Sequence, residues 1–207
     1  MNSYSQNKED LKVLRYFKGR KGTLLSVGEN NGIMLSNAKL LIEQGFSAYL
    51  LEPSTVFPEL EKLHKGNKKV TCFNIGLGNK TQLVKFFESK NHIPGGDDKS
   101  LVSSVNYEET QRWRDSGVEF VEGVVQITTF KEFWESQGSP KFNFISIDTE
   151  GFDWDILQQI NLKETGTEIL CIEWNGDKDL ESKFTSYCKK FGLKEMNRNA
   201  ENLIYSI

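Results

Sequence analysis

Residues 24–53 read LLSVGENNGIMLSNAKLLIEQGFSAYLLEP. A short apolar run (Leu24, Leu25, Val27) enters a turn bounded by Gly28 and Gly32. A helical pattern with Ile33, Leu35, Leu40 and Leu41 among its apolar positions follows, and Gly45 stops it. A second apolar run (Ala48, Tyr49, Leu50, Leu51) ends in Glu52. Two apolar runs joined through a helix make a βαβ unit, which requires parallel strands and a right-handed crossover. The glycines let a ligand approach the backbone where the helix opens, and a carboxylate ending the second strand can accept from both hydroxyls of a ribose. The unit is shaped for a nucleoside.

A dinucleotide fingerprint needs G-x-G-x-x-G around a pyrophosphate. Here the spacing is G-x-x-x-G, and Glu29 would repel a pyrophosphate. S-adenosylmethionine has no phosphate, and its amino-acid end needs both donors and acceptors. Glu29, Asn30 and Asn31 offer both. The loop favours the methyl donor, while the acidic strand end suits either cofactor.

At 207 residues the chain suits one domain with a substantial core. A net charge of −3 and scattered Lys and Arg argue against nucleic acid as a partner. Three cysteines without C-x-x-C spacing read as free thiols, and two histidines are too few for a zinc site. No apolar stretch reaches membrane-spanning length and the polar start is no signal peptide, so a soluble, cytoplasmic protein without a membrane partner is expected. The oligomeric state is unreadable.

The first seven residues read as frayed, and Leu11, Leu14 and Phe17 mark a short helix within an N-terminal helix and turn over residues 8–22. Beyond Glu52, Phe57, Leu60 and Leu63 mark the buried face of a further helix, and His64 near its end reads as exposed or capping. Strands are expected over Val70–Ile75, Leu83–Phe87 and Val121–Thr129, with Gly76 and Gly78 passing the adenine edge of a cofactor. Residues 88–118 break the rhythm. That Gly-, Ser- and charge-rich segment, with His92 and Trp113, reads as a lid over the pocket.

A second dense signal is Phe142–Gly151, FNFISIDTEG, a buried strand running into Asp148 and Glu150. Carboxylates at a strand's carboxyl end lie where open α/β sheets bind ligands, although Glu150 and Asp153 could equally cap the next helix. Thr167–Trp174 is another buried strand with polar residues at its end, and Trp174 is a further pocket candidate, whereas Trp134 and Trp154 read as packing residues. Leu180, Phe184, Tyr187, Cys188 and Phe191 form a helical stripe, and two short strands close the chain as a hairpin.

Four stretches in this order, SVGENNG, LLEPS, FNFISIDTEGFDWDIL and CIEWN, resemble the FkbM family of S-adenosylmethionine-dependent O-methyltransferases over most of Leu24–Trp174. The resemblance implies an α/β, Rossmann-like class I methyltransferase fold: a mostly parallel seven-stranded sheet, helices on both faces, and an antiparallel C-terminal hairpin. It implies that Gly28, Asn30 and Gly32 line the methionine end of the cofactor, that Glu52 holds the ribose, and that Asp148 lies near the cofactor's amino group and the acceptor. Glu29, Pro53, Ile75 and Gly76 complete the candidate cofactor contacts. The family often has Asp where this chain has Ser26, so one acidic contact to the cofactor's amino group is either missing or supplied by Glu29; it also often has Asp where this chain has Lys131.

The reaction expected is methyl transfer to a hydroxyl of a sugar, glycan or other small metabolite, with Asp148 or Glu150 as base and His92 as the next candidate. Cofactor binding without a metal is favoured, the alternative being a divalent ion at Asp148 with Glu173 or Asn175. The rival readings are a nicotinamide-dependent oxidoreductase and an inactive nucleoside-binding module.

Overall fold

The computed structural model describes residues 2–92 and 98–207, so residues 93–97 of the expected lid lie outside the described residues. The first half holds α1 (Glu9–Phe17), β1 (Thr23–Val27), α2 (Lys39–Glu43), β2 (Ser47–Leu51), α3 (Phe57–His64), β3 (Val70–Phe73), β4 (Gly76–Leu77) and β5 (Gln82–Ser89). The second half holds α4 (Tyr107–Arg114), β6 (Phe120–Thr128), α5 (Phe130–Ser136), β7 (Phe144–Ile147), α6 (Asp153–Leu157), β8 (Ile169–Glu173), α7 (Lys178–Lys190), β9 (Lys194–Arg198) and β10 (Asn202–Ser206).

Strands β1 and β2 are parallel neighbours with Val27 level with Leu51. They belong to a seven-stranded sheet of order β3-β2-β1-β7-β8-β10-β9, in which β10 runs antiparallel to both neighbours. The Rossmann-like sheet and its closing hairpin are as expected. Both faces are covered, which is why the central strands read as unbroken apolar runs. Leu25, Val27, Ile145, Ile147, Leu170 and Ile172 face one core, filled by Phe133 of α5, Ile156 of α6 and Phe184 of α7. Leu24, Phe144, Ile169 and Cys171 face the other, filled by Val13 and Phe17 of α1, Leu41 of α2 and Leu60 of α3. All three cysteines are free, with Cys171 and Cys188 buried as small apolar groups.

Three expectations are corrected. The helix after Gly32 does not start at Ile33, because Asn31 Oδ1 accepts from the Ile33 and Met34 N–H groups at 3.0 Å each and Ser36 Oγ accepts from Lys39 N at 2.9 Å. These local bonds offer the backbone an alternative to a helix, so α2 is one short turn and Ile33 and Leu35 stand exposed. His64 is buried, not exposed, with Nε2 beside the backbone of Gly32. Residues 3–5 are tied down, since Asp10 accepts from Ser3 Oγ at 2.6 Å, Tyr4 N at 2.8 Å and Ser5 Oγ at 2.9 Å.

A second sheet of order β4-β6-β5 stands apart from the main one. Its β5–β6 hairpin carries the segment expected as a lid, whose ends meet where Lys90 N donates to Glu119 O at 2.8 Å. Within it, Asn106 caps α4 by accepting from Glu108 N at 3.0 Å. Trp134 stacks on Phe130, and Trp154 packs against Phe184 and Tyr187. No helix among the described residues is long and apolar enough to cross a membrane.

Candidate functional site

From β1 the chain builds outward through β2 to β3, then returns to place β7 and β8 on the other side of β1. Such a reversal opens a crevice above the carboxyl ends of the strands. A cavity of about 510 Å³ occupies that position.

One half of the cavity is the β1–β2 end. Gly28 has φ +82°, and a Cβ there would lie 1.8 Å from the Asp148 carbonyl oxygen, so only glycine fits. The N–H groups of Gly28 and Glu29 both donate to Leu51 O, at 3.0 and 3.1 Å. Glu52 is buried and accepts from Asn30 N at 2.7 Å and Ser54 N at 2.9 Å, one bond to each oxygen. A carboxylate has about four lone-pair sites, so roughly two remain for a ligand. Burial raises the Glu52 pKa, opposed by those bonds. Glu29 accepts from Ser36 Oγ at 2.5 Å, and burial pushes its carboxyl up to about 7. Pro53 and Gly76 also line the cavity.

Gly32 and Ile75 are placed elsewhere. A Cβ on Gly32 would meet Leu60 and Leu63 of α3, and Ile75 packs on the apolar core. Gly78 lies against Ile127, and Trp174 sits under Lys178 and Arg198. None of these four is among the residues that line the cavity.

The other half is the β7–β8 end. Asp148 leaves β7 with its N–H on Val27 O at 3.0 Å. Asp153 closes the turn before α6 by accepting from Thr149 N at 3.1 Å and Gly151 N at 3.2 Å; no side chain caps α6, and Glu150 lines the cavity instead. Asp148, Glu150 and Glu173 each bring a carboxylate oxygen within 4.8 Å of the others. Burial first, then mutual repulsion, holds Asp148 and Glu173 well above the usual carboxylate range. Burial lifts Glu150 to about 7 against the pull of Arg112, whose Nη2 donates to it at 2.6 Å. Glu173 accepts from Asn175 Nδ2 at 2.6 Å. A trio of hard oxygen donors suits a divalent ion as well as a protein cation, and Arg112 is the cation set against it.

The inserted segment supplies the remaining wall through His92, Ser100, Val102, Ser103, Arg112 and Trp113. Ser104 Oγ donates to the Glu150 carbonyl at 2.6 Å, fastening the segment to the β7 turn. Arg112 escaped the sequence reading, because a lone Arg in a charged helix carries no sign of a partner 38 residues away. Asn37 and Asn202 also escaped it. Both line the cavity, are buried, and hold an Oδ1 without a hydrogen-bond partner. Asn30, Leu35, Ser100, Glu150 and Asn175, all non-glycine residues at positive φ, line it too. Such strain collects where a ligand site needs a fixed backbone.

The chain shares its fold with a solved structure at a TM-score above 0.5. The METTL16 MTase domain (crystal form 2) is 8% identical with a TM-score of 0.51, over 95% of this chain and 64% of that one. The putative methyltransferase yhhF from Escherichia coli is 10% identical with a TM-score of 0.48, over 99% and 88%. The precorrin-6y C5,15-methyltransferase from Geobacter metallireducens GS-15 is 8% identical with a TM-score of 0.48, over 100% and 92%. No curated protein matches the chain. The model of the methyltransferase FkbM domain matches residues 26–197, most of the chain, and the protein belongs to that family.

Proposed function

We propose that this methyltransferase uses S-adenosylmethionine to methylate a hydroxyl of a sugar, glycan or other small metabolite. One observation carries the reading: a single cavity at the topological switch joins the Gly28–Glu52 end to the Asp148–Glu150–Glu173 end. The residues fit the cofactor. Glu52 keeps lone pairs for two ribose hydroxyls, Gly28 leaves the backbone bare, and the unpartnered Asn37 Oδ1 is an acceptor suited to an ammonium group. When bound, the cofactor supplies a methyl carbon that is already electrophilic. The protein then has to align the acceptor, exclude water and take a proton. Glu150 and Glu173, with Arg112 and Asn175 beside them, offer acceptors and donors to a polyhydroxylated molecule. An acid-rich cavity disfavours phosphorylated acceptors and nucleic acid. Buried Glu29 likewise disfavours the pyrophosphate of a nicotinamide cofactor.

The test is isothermal titration with S-adenosylmethionine and with NAD, followed by a mass-spectrometric screen of glycans and small hydroxylated metabolites with labelled donor. Binding of the methyl donor and a labelled methyl ether are expected. NAD binding, or no binding of the methyl donor at millimolar concentration, overturns the reading.

A further inference from the structure

His92 and Asp98 form a pair on the cavity wall that the carboxylate cluster does not explain. His92 lines the cavity and its ring packs edge-on against Trp113, with centroids 5.5 Å apart. The Asp98 side chain is fully buried, and one of its oxygens, Oδ2, accepts from the His92 backbone N–H at 2.8 Å and meets the His92 Nδ1 directly. The Asp98 carboxylate is thus set against Nδ1, and Nε2 is the ring nitrogen not taken by Asp98. A buried carboxylate fixing one tautomer of an imidazole is the arrangement that holds a histidine base in position.

We infer that His92, oriented by Asp98, is the general base that takes the proton of the acceptor hydroxyl, an inference that rests on the methyl-transfer reading above. The carboxylates are committed otherwise. Glu150 is paired with Arg112, Glu173 with Asn175, and Asp148 is wedged between its acidic neighbours. The hydroxyl proton passes to Nε2 and the oxygen forms the new C–O bond, while the C–S bond breaks with its electron pair going to sulfur. The positive charge thus leaves sulfur and reappears on the imidazolium. The cavity's carboxylates lower the energy of that imidazolium. Trp113 and Arg112 link the His92 ring to Glu150: Arg112 lies 5.1 Å from the Trp113 centroid and donates to Glu150 at 2.6 Å.

With two histidines in the chain, the ring nitrogens can be assigned by long-range nitrogen–proton NMR using H92Q as the reference. At alkaline pH the neutral His92 ring is expected to carry its proton on Nδ1, and D98N to disturb that preference. A wild-type ring protonated on Nε2 overturns the inference. On the first acceptor from the labelled-donor screen, H92A should lose about 100-fold or more in kcat with donor affinity unchanged, and added imidazole should restore part of it. D98N should lower kcat about tenfold with KM little changed, as a positioning residue would. Retention of kcat in H92A, or loss without imidazole rescue, overturns the assignment. Failure of the underlying reading is distinct: the wild type then binds no methyl donor, and the base assignment falls with it.

Discussion

The two ends of the cavity handle buried acid in opposite ways. At the β1–β2 end, Glu52 and Glu29 are spoken for by the protein: Asn30 N, Ser54 N and Ser36 Oγ all donate to them. At the β7–β8 end, three carboxylates face one another, with Arg112 and Asn175 as partners of two. The first end is pre-organised, each Glu52 oxygen being held by one backbone N–H with lone-pair capacity left over. The second stores repulsion that a hydroxyl-rich or cationic ligand relieves. Burying like charges costs stability.

The contrast can be broken most severely where the two ends touch. Gly28→Ala drives a Cβ into the Asp148 carbonyl and forces φ +82° on a side-chain-bearing residue. A loss of about 4 kcal/mol or more is expected in urea denaturation, with donor binding abolished. Glu52→Ala removes the ribose acceptor and orphans two backbone N–H groups, so donor affinity should fall about 10- to 100-fold by titration calorimetry.

A third effect is read by pH and draws on both ends. Glu29 and Glu150 sit near 7 and Asp153 near 6, all above their unfolded values, so the native state holds protons more tightly than the unfolded chain. The resulting stability is fully present below the unfolded pKa values and is lost as pH rises through about 6 to 7. Thermal unfolding should give a higher Tm in mildly acidic buffer than in alkaline buffer. Glu173→Gln, which keeps an oxygen for Asn175, should raise the alkaline Tm and flatten that slope. The smallest effect is expected from metal removal. Because Arg112 already neutralises part of the trio, dialysis against EDTA should change turnover by less than about twofold.

Legibility in the sequence followed locality. The first strand–helix–strand unit, the IDTEG turn and the closing hairpin were readable because turn glycines and apolar spacing are local signals. Asn31 and Ser36 defeated the helix reading, since apolar residues at helical spacing say nothing of side chains that capture backbone N–H groups. His64 is buried against Gly32, a neighbour in space but remote in sequence, and a Lys-rich context concealed it. The strands β5 and β6 were expected, but not that they leave the main sheet to form their own with β4. The pairing of Arg112 with Glu150 and of His92 with Asp98 belongs to the inserted segment, where neither periodicity nor turn chemistry predicts partners.

The inserted segment leaves and rejoins its hairpin at neighbouring points, Lys90 and Glu119 being one hydrogen bond apart. Replacing everything between them changes no strand of the seven-stranded sheet, and the entropy of closing a loop grows only slowly with its length. A graft at this junction therefore exchanges one wall of the cavity, together with the Lys99 carbonyl to which Asn30 Nδ2 donates at 3.1 Å. Selectivity in this scaffold can evolve, or be engineered, as an interchangeable cassette.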